Sequence, residues 1–295
     1  MEIERVGVAG GGLMGHGIAQ VAAQAGYQVV LKELDQERLD KAVRNIEKQL
    51  ARAVEKGKLE RSASDQIRGR LHPTLETADF ADCGLVIEAI TENLDMKREL
   101  WKEVDGVVTD NGAVFATNTS SLAVIDQAVV TERPHRFIGL HFFNPAQVMP
   151  LLEVVRTVTT EDEAFETGLS FGSRLGKTVV RCKDKTGFIV NRLLVPYMLD
   201  AIRAFEEGVG SIEAIDTAMK GGAAHPMGPL TLLDFVGLDT TASIADIMFD
   251  EYREKRFAAP PTLRKLVAAG FYGKKSGRGF YDYSGEKPVA VDPGI

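Results

Sequence analysis

The chain has 295 residues, 44% of them hydrophobic and 26% charged, with a net charge of −7. That length and balance predict about two ordinary globular domains. The acidic excess speaks against a general nucleic-acid binder, and no apolar run reaches the roughly 18–20 residues that span a bilayer.

Met1-Glu-Ile-Glu-Arg5 runs directly into a strand, with no apolar signal segment. The two cysteines, Cys83 and Cys182, lack metal-type spacing, and no metal site is expected. Both read as small packed residues in a reducing cytoplasm. Up to about residue 185, short β-rich runs alternate with helical patterns, which predicts a parallel sheet with crossover helices. Strands are expected at Ile3–Ala9, Tyr27–Leu31, Leu85–Ala89, Val114–Thr117, Phe137–His141, Leu151–Val155 and Thr178–Cys182. Helices are expected at Gly15–Ala25, Leu39–Val54 and Asp162–Leu175, with Asp65–Arg70 as the return arm of a helical hairpin. From Phe188 the pattern turns helical: Val190–Glu206, Ile212–Lys220, Leu230–Phe249 and Thr262–Ala269. The expected domains are therefore 1–185 and 186–283, followed by a frayed polar tail over 284–295.

Gly10-Gly-Gly-Leu-Met-Gly15 leaves a strand and opens a helix, the context that gives G-x-G-x-x-G its meaning. Gly10 permits the tight turn, Gly12 admits a pyrophosphate, and Gly15 lets the helix pack on the sheet. Leu13 and Met14 complete the turn, and the helix N-terminus offers N–H groups to the phosphates. The alternative is a glycine-rich turn without a ligand. Glu33, after the second strand, is placed to hold ribose hydroxyls and repel a 2′-phosphate, which favours NAD over NADP. Lys32 and Arg38 weigh the other way, and a solvated loop charge is the bland reading. The N-terminal fold is thus an α/β Rossmann-type doubly wound sheet with a helical hairpin insertion, followed by an all-α C-terminal domain.

His141 ends an apolar strand on the carboxyl edge, where such sheets bind ligands. Leu151–Val155 can return beside that strand and bring Glu153 alongside His141. A carboxylate fixes the imidazole tautomer and stabilises the imidazolium, as a base for alcohol oxidation with NAD requires. Taken alone, such a pair is more often a structural hydrogen bond. In Asn118-Thr-Ser-Ser121 one serine reads as the N-cap of a helix Leu122–Ala128, and the other can reach a substrate oxygen. Asn191 is either a polar residue in a first helical turn or an amide donor to a substrate carbonyl.

These motifs resemble the short-chain L-3-hydroxyacyl-CoA dehydrogenase family, 3-hydroxybutyryl-CoA dehydrogenases included, over about residues 2–283. The resemblance rests on the glycine turn, Glu88-Ala-Ile-Thr-Glu-Asn93, Asn118-Thr-Ser-Ser-Leu122 and His141-Phe-Phe-Asn-Pro145. It continues through Gly187-Phe-Ile-Val-Asn-Arg192, Asp216-Thr-Ala-Met-Lys220, His225-Pro-Met-Gly-Pro229 and Gly273-Lys-Lys-Ser-Gly-Arg-Gly-Phe-Tyr281. It implies His141 as general base, Glu153 as its orienting partner, and Ser120 and Asn191 as contacts to the substrate oxygen. It places Glu33, Glu92, Lys97, Asn144 and Lys275 around NAD, Glu33 standing where the family usually has Asp. It puts Lys56, with Ser120, against the acyl-CoA substrate, whereas a serine that meets CoA in some relatives is Gln49 here. It also implies a homodimer through the helical domain. Two other readings share parts of the pattern. One is a dehydrogenase of free 3-hydroxy acids using a lysine such as Lys177, Lys183 or Lys185. The other is a silent, crystallin-like NAD-binding protein.

Overall fold

The computed structural model describes residues 3–292 and 294. The chain divides into two compact units at Phe188–Ile189.

The first unit is an eight-stranded sheet in the order β3-β2-β1-β4-β5-β6-β7-β8. β1 (Arg5–Ala9) leads through α1 (Gly15–Gln24) to β2 (Gln28–Lys32), and these strands pair in parallel. The hairpin follows as α2 (Gln36–Glu55) and α3 (Arg61–Gly69). Asp35 opens α2 by accepting the Arg38 N–H, and Leu39, Ala42, Ile46 and Leu50 form its buried stripe. β3 (Leu71–Thr74) was not expected from the sequence. It is an edge strand containing Pro73, which is tolerated only where no inner ladder bond is needed.

β4 (Leu85–Glu88) and β5 (Val114–Thr117) continue the parallel ladder on the other side of β1. Between them lies α4 (Leu94–Val107), a second unexpected element, capped by the Asn93 side chain on the Met96 N–H. Its buried Trp101 stacks on Phe115 and meets the edge of Phe137. The helix expected over Leu122–Ala128 shortens to α5 (Ile125–Ala128). Neither serine caps it. Asp184 accepts the Val124 and Ile125 N–H groups from 60 and 59 residues away.

β6 (Phe137–Phe142) is parallel to β5, and β7 (Leu151–Arg156) turns back antiparallel beside it. α6 (Asp162–Arg174) then crosses to β8 (Thr178–Lys183). Apolar clusters cover both sheet faces, one under α1, α2 and α6 and the other around Trp101.

The second unit holds α7 (Val190–Glu206), α8 (Ile212–Gly222), α9 (Pro229–Val236), α10 (Leu238–Tyr252) and α11 (Pro261–Ala268). The single helix expected over Leu230–Phe249 is broken at Gly237, whose φ of 103° no helix accommodates. The tail is not frayed where it is described: β10 (Val289–Ala290) pairs with β9 (Tyr281–Asp282). The expected tail residues 293 and 295 lie outside the described residues, as do residues 1 and 2. Among the described residues no helix is long and apolar enough to cross a membrane.

Candidate active site

The parallel strands end along one edge, and the order β2-β1-β4-β5-β6 sets their ends side by side. β1 delivers the glycine turn, β2 Glu33, β4 Glu88, β5 the serine turn and β6 His141. The strand order reverses direction at β1, between β2 and β4, where a doubly wound sheet opens its crevice.

The turn is shaped for close approach. Gly10 has φ 98°, and a Cβ on Gly15 would collide with the Gly10 carbonyl. Gly12 is exposed, with open space where a side chain would stand, and α1 begins without a side-chain cap. These are the features of a cradle for a pyrophosphate at a helix N-terminus. Leu13 is exposed beside it and Met14 half-buried. Glu33 leans back over the turn, its Oε1 accepting the Gly11 N–H at 2.7 Å and its Oε2 the Leu34 N–H at 3.1 Å.

Behind the turn lies a buried charge network. Glu88 accepts from Lys97 Nζ at 2.6 Å, Ile90 N at 2.7 Å and the Thr117 hydroxyl at 2.6 Å. Lys97 is 1% exposed, and its ammonium also meets Glu92 at 3.2 Å. Lys97, expected beside the cofactor, is sealed behind the turn, where its ammonium holds Glu92. One Glu92 oxygen gathers the serine turn, accepting the Thr119 hydroxyl, the Ser120 and Ser121 N–H groups, and the Ser121 hydroxyl. Burial works against the Glu92 charge. The Lys97 ammonium and the Thr119 and Ser120 donors outweigh it and hold the carboxyl below its usual range. Ser120 is thereby presented half-buried at the end of β5.

His141 and Glu153 are directly opposed in the antiparallel β6–β7 register, so their side chains share one face. His141 Nδ1 lies 2.6 Å from Glu153 Oε2, and both residues are buried, Glu153 completely. A carboxylate beside Nδ1 selects the tautomer protonated there and leaves Nε2 as the basic nitrogen. The Phe143 and Phe188 rings flank the imidazole at 4.5 and 5.5 Å. The Asn118 side chain accepts the Phe142 N–H at 3.0 Å and ties the serine turn to the strand carrying His141.

A dinucleotide cradle, a hydroxyl-bearing turn and a buried His–Glu pair thus share one sheet edge. Residues 5–185 match the NAD-binding domain of 3-hydroxyacyl-CoA dehydrogenases, and residues 187–283 match their C-terminal domain. The chain belongs to the 3-hydroxyacyl-CoA dehydrogenase family. The 3-hydroxybutyryl-CoA dehydrogenase of Mycobacterium tuberculosis is 49% identical over 282 residues, covering 95% of this chain and 99% of that protein. The human mitochondrial hydroxyacyl-coenzyme A dehydrogenase is 48% identical, covering 95% and 91%. The solved structure of the (S)-3-hydroxybutyryl-CoA dehydrogenase PaaH1 of Ralstonia eutropha superposes with a TM-score of 0.93 at 38% identity, covering 96% and 100%.

Of the other residues assigned from the family resemblance, Asn144 is exposed just beyond β6 and Lys56 is exposed where α2 ends. Asn191 lies in the first turn of α7, in the second unit. Lys275 also belongs to that unit, where it pairs with Asp239 at 2.6 Å. Gln49 is engaged within the first unit by His16 and Gln147. The organising parts played by Glu92, Asn118 and Asp184 were not read from the sequence. Each acts through a partner at least 24 residues away, beyond the reach of local pattern. Among the described residues no group of three or more His, Cys, Asp or Glu is placed to hold a metal ion.

Proposed function

We propose that this protein oxidises (S)-3-hydroxyacyl-CoA thioesters reversibly to 3-oxoacyl-CoA, with 3-hydroxybutyryl-CoA as the preferred substrate. The observation that carries the reading is the buried 2.6 Å His141–Glu153 pair on the edge that also carries the glycine cradle. His141 Nε2 takes the substrate hydroxyl proton, and Glu153 stabilises the imidazolium as its charge develops. Ser120 and Asn191 contact the substrate oxygen, and Lys56 meets the CoA moiety. The residues present fit NAD, which when bound supplies the hydride acceptor. Gly10, Gly12, Leu13, Met14 and Gly15 would hold its phosphates, and Glu33 its adenosine ribose. Glu92, Asn144 and Lys275 complete the assignment, with Lys97 holding Glu92.

The lysine-based alternative finds little support. Lys177 donates to the Ala146 and Met149 carbonyls, and Lys183 and Lys185 are exposed. The protein is further proposed to be cytoplasmic and homodimeric through the helical unit. The exposed Leu193, Val209 and Phe235 of that unit support a subunit contact, which sedimentation would detect.

The test is steady-state turnover of acetoacetyl-CoA with NADH, then of acyl chains from C4 to C16. His141→Gln should lower kcat by about 10²–10⁴-fold while NADH affinity stays near wild type. Glu153→Gln should also slow turnover. Unchanged kcat in His141→Gln would remove it from the reaction, and equal rates with free acetoacetate would remove the CoA thioester.

A further inference from the structure

The first turn of α1 buries a histidine that the reaction described above does not use. His16 is 6% exposed, and both ring nitrogens are engaged. Its Nδ1 lies 2.6 Å from the Gly12 carbonyl, and its Nε2 lies 3.1 Å from Gln49 Nε2 on α2. Gln49 Oε1 in turn accepts from Gln147 Nε2. A carbonyl can only accept, so Nδ1 carries the hydrogen. In the neutral ring Nε2 then accepts, and the Gln49 amide nitrogen donates to it. The reverse orientation of the Gln49 amide would set a carbonyl oxygen against a lone pair. The three bonds therefore run one way, from the Gln147 amide through Gln49 and His16 to Gly12.

This chain joins three segments that are far apart in sequence. Gly12 belongs to the glycine turn, Gln49 to the hairpin arm, and Gln147 to the turn between the His141 and Glu153 strands. That last turn is clamped from a second side, where Lys177 Nζ donates to Ala146 O at 2.6 Å and Met149 O at 2.7 Å. It also presses on α1 at Gly17, where a Cβ would come within 2.6 Å of Gln147 Oε1. Leaving a ring as buried as His16 with an unpaired nitrogen is costly, so the chain holds together or fails as a unit.

We propose that His16, Gln49 and Gln147 are positioning residues that fix the dinucleotide turn relative to the turn joining the acid–base strands. Gln49, standing where some relatives carry a CoA-contacting serine, serves the cofactor side of the site in this chain. The inference rests on the glycine turn binding NADH. The experiment is fluorescence titration of NADH alongside steady-state kinetics on acetoacetyl-CoA, for Gln49→Leu, Gln147→Leu, the double variant, and Gly17→Ala. Each single variant should raise the NADH Kd about three- to tenfold, the equilibrium worth of about one hydrogen bond. The double variant should be no weaker than the worse single one, because a chain broken once is already broken. KM for acetoacetyl-CoA should stay within about twofold of wild type. Unchanged NADH Kd in both glutamine variants overturns the proposal, as do penalties that multiply in the double variant. A raised acetoacetyl-CoA KM at constant NADH Kd also overturns it, by assigning Gln49 to the substrate. A wild type that binds no NADH overturns the cofactor reading and the relay with it, whereas variants matching a wild type that binds overturn the relay alone.

Discussion

At the scale of single residues, Lys97 does the most with the least exposure. Its ammonium is enclosed between Glu88, which is fully buried, and Glu92, which reaches the serine turn. Burying such charges costs several kcal/mol each, and only their mutual attraction and the added donors offset that cost. Removing one partner is therefore far worse than removing both. Lys97→Met should destabilise the protein by about 3–5 kcal/mol in urea unfolding, and adding Glu88→Gln, which removes the stranded charge but keeps an acceptor for Ile90 and Thr117, should recover part of the loss. A Lys97→Met protein as stable as wild type would show that the network carries no such penalty. The two thiols contrast with this network. Burial pushes Cys83 up to about 12 and, together with the nearby Glu153 charge, Cys182 up to about 11, so both stay protonated and inert at neutral pH.

At the scale of elements, the second unit is fastened by carboxylates that cap from a distance. Asp216 on α8 accepts the Leu230 and Thr231 N–H groups at the start of α9. Asp234 on α9 accepts the Phe280 and Tyr281 N–H groups and the Tyr283 hydroxyl, which holds the β9 segment to the helices. Burial pushes the Asp234 carboxyl up to about 6 in spite of those donors. A raised acid pKa means that the folded state holds this proton more tightly than the unfolded chain. The contribution is full below about pH 4 and is lost as pH rises through about 6, on the order of 3 kcal/mol. Asp234→Asn cannot titrate and should flatten that part of the stability–pH curve in denaturant melts. Parallel curves for the two proteins would place the slope in another group. The same elements show what a sequence can reveal. Val114–Ala116 and Leu85–Ile87 are uninterrupted apolar runs in strands buried along their whole length, and they read easily. α4 did not, because its inward stripe of Lys97, Trp101 and Val104 places a charge where a hydrophobe is expected. β3 hid behind Pro73 and His72, and the α5 cap comes from Asp184, which no local window contains. In the site, Glu153 was legible because one strand turning back fixes its partner. The Glu92 grip on the serine turn depends on the loop after β4 meeting the loop after β5, and was not.

At the scale of the whole molecule, cofactor choice becomes a stability statement. Glu33 sits at the end of β2 with its carboxylate against the Gly11 N–H, where a 2′-phosphate would meet a like charge. NADH at about 100 times its Kd should stabilise the folded protein by about 2.7 kcal/mol. NADPH at the same concentration should raise the melting temperature far less. Equal shifts would show that Glu33 does not discriminate.

The antiparallel turn of β7 has a consequence for how the protein is assembled. The glycine cradle and His141 come from distant parts of the chain and must wait for several crossovers to close. His141 and Glu153 are only 12 residues apart and meet within a single hairpin. Short loops close at little entropic cost, and local contacts form early. The pair therefore needs only one hairpin to close, whereas its placement beside the glycine cradle needs every crossover from β1 to β6.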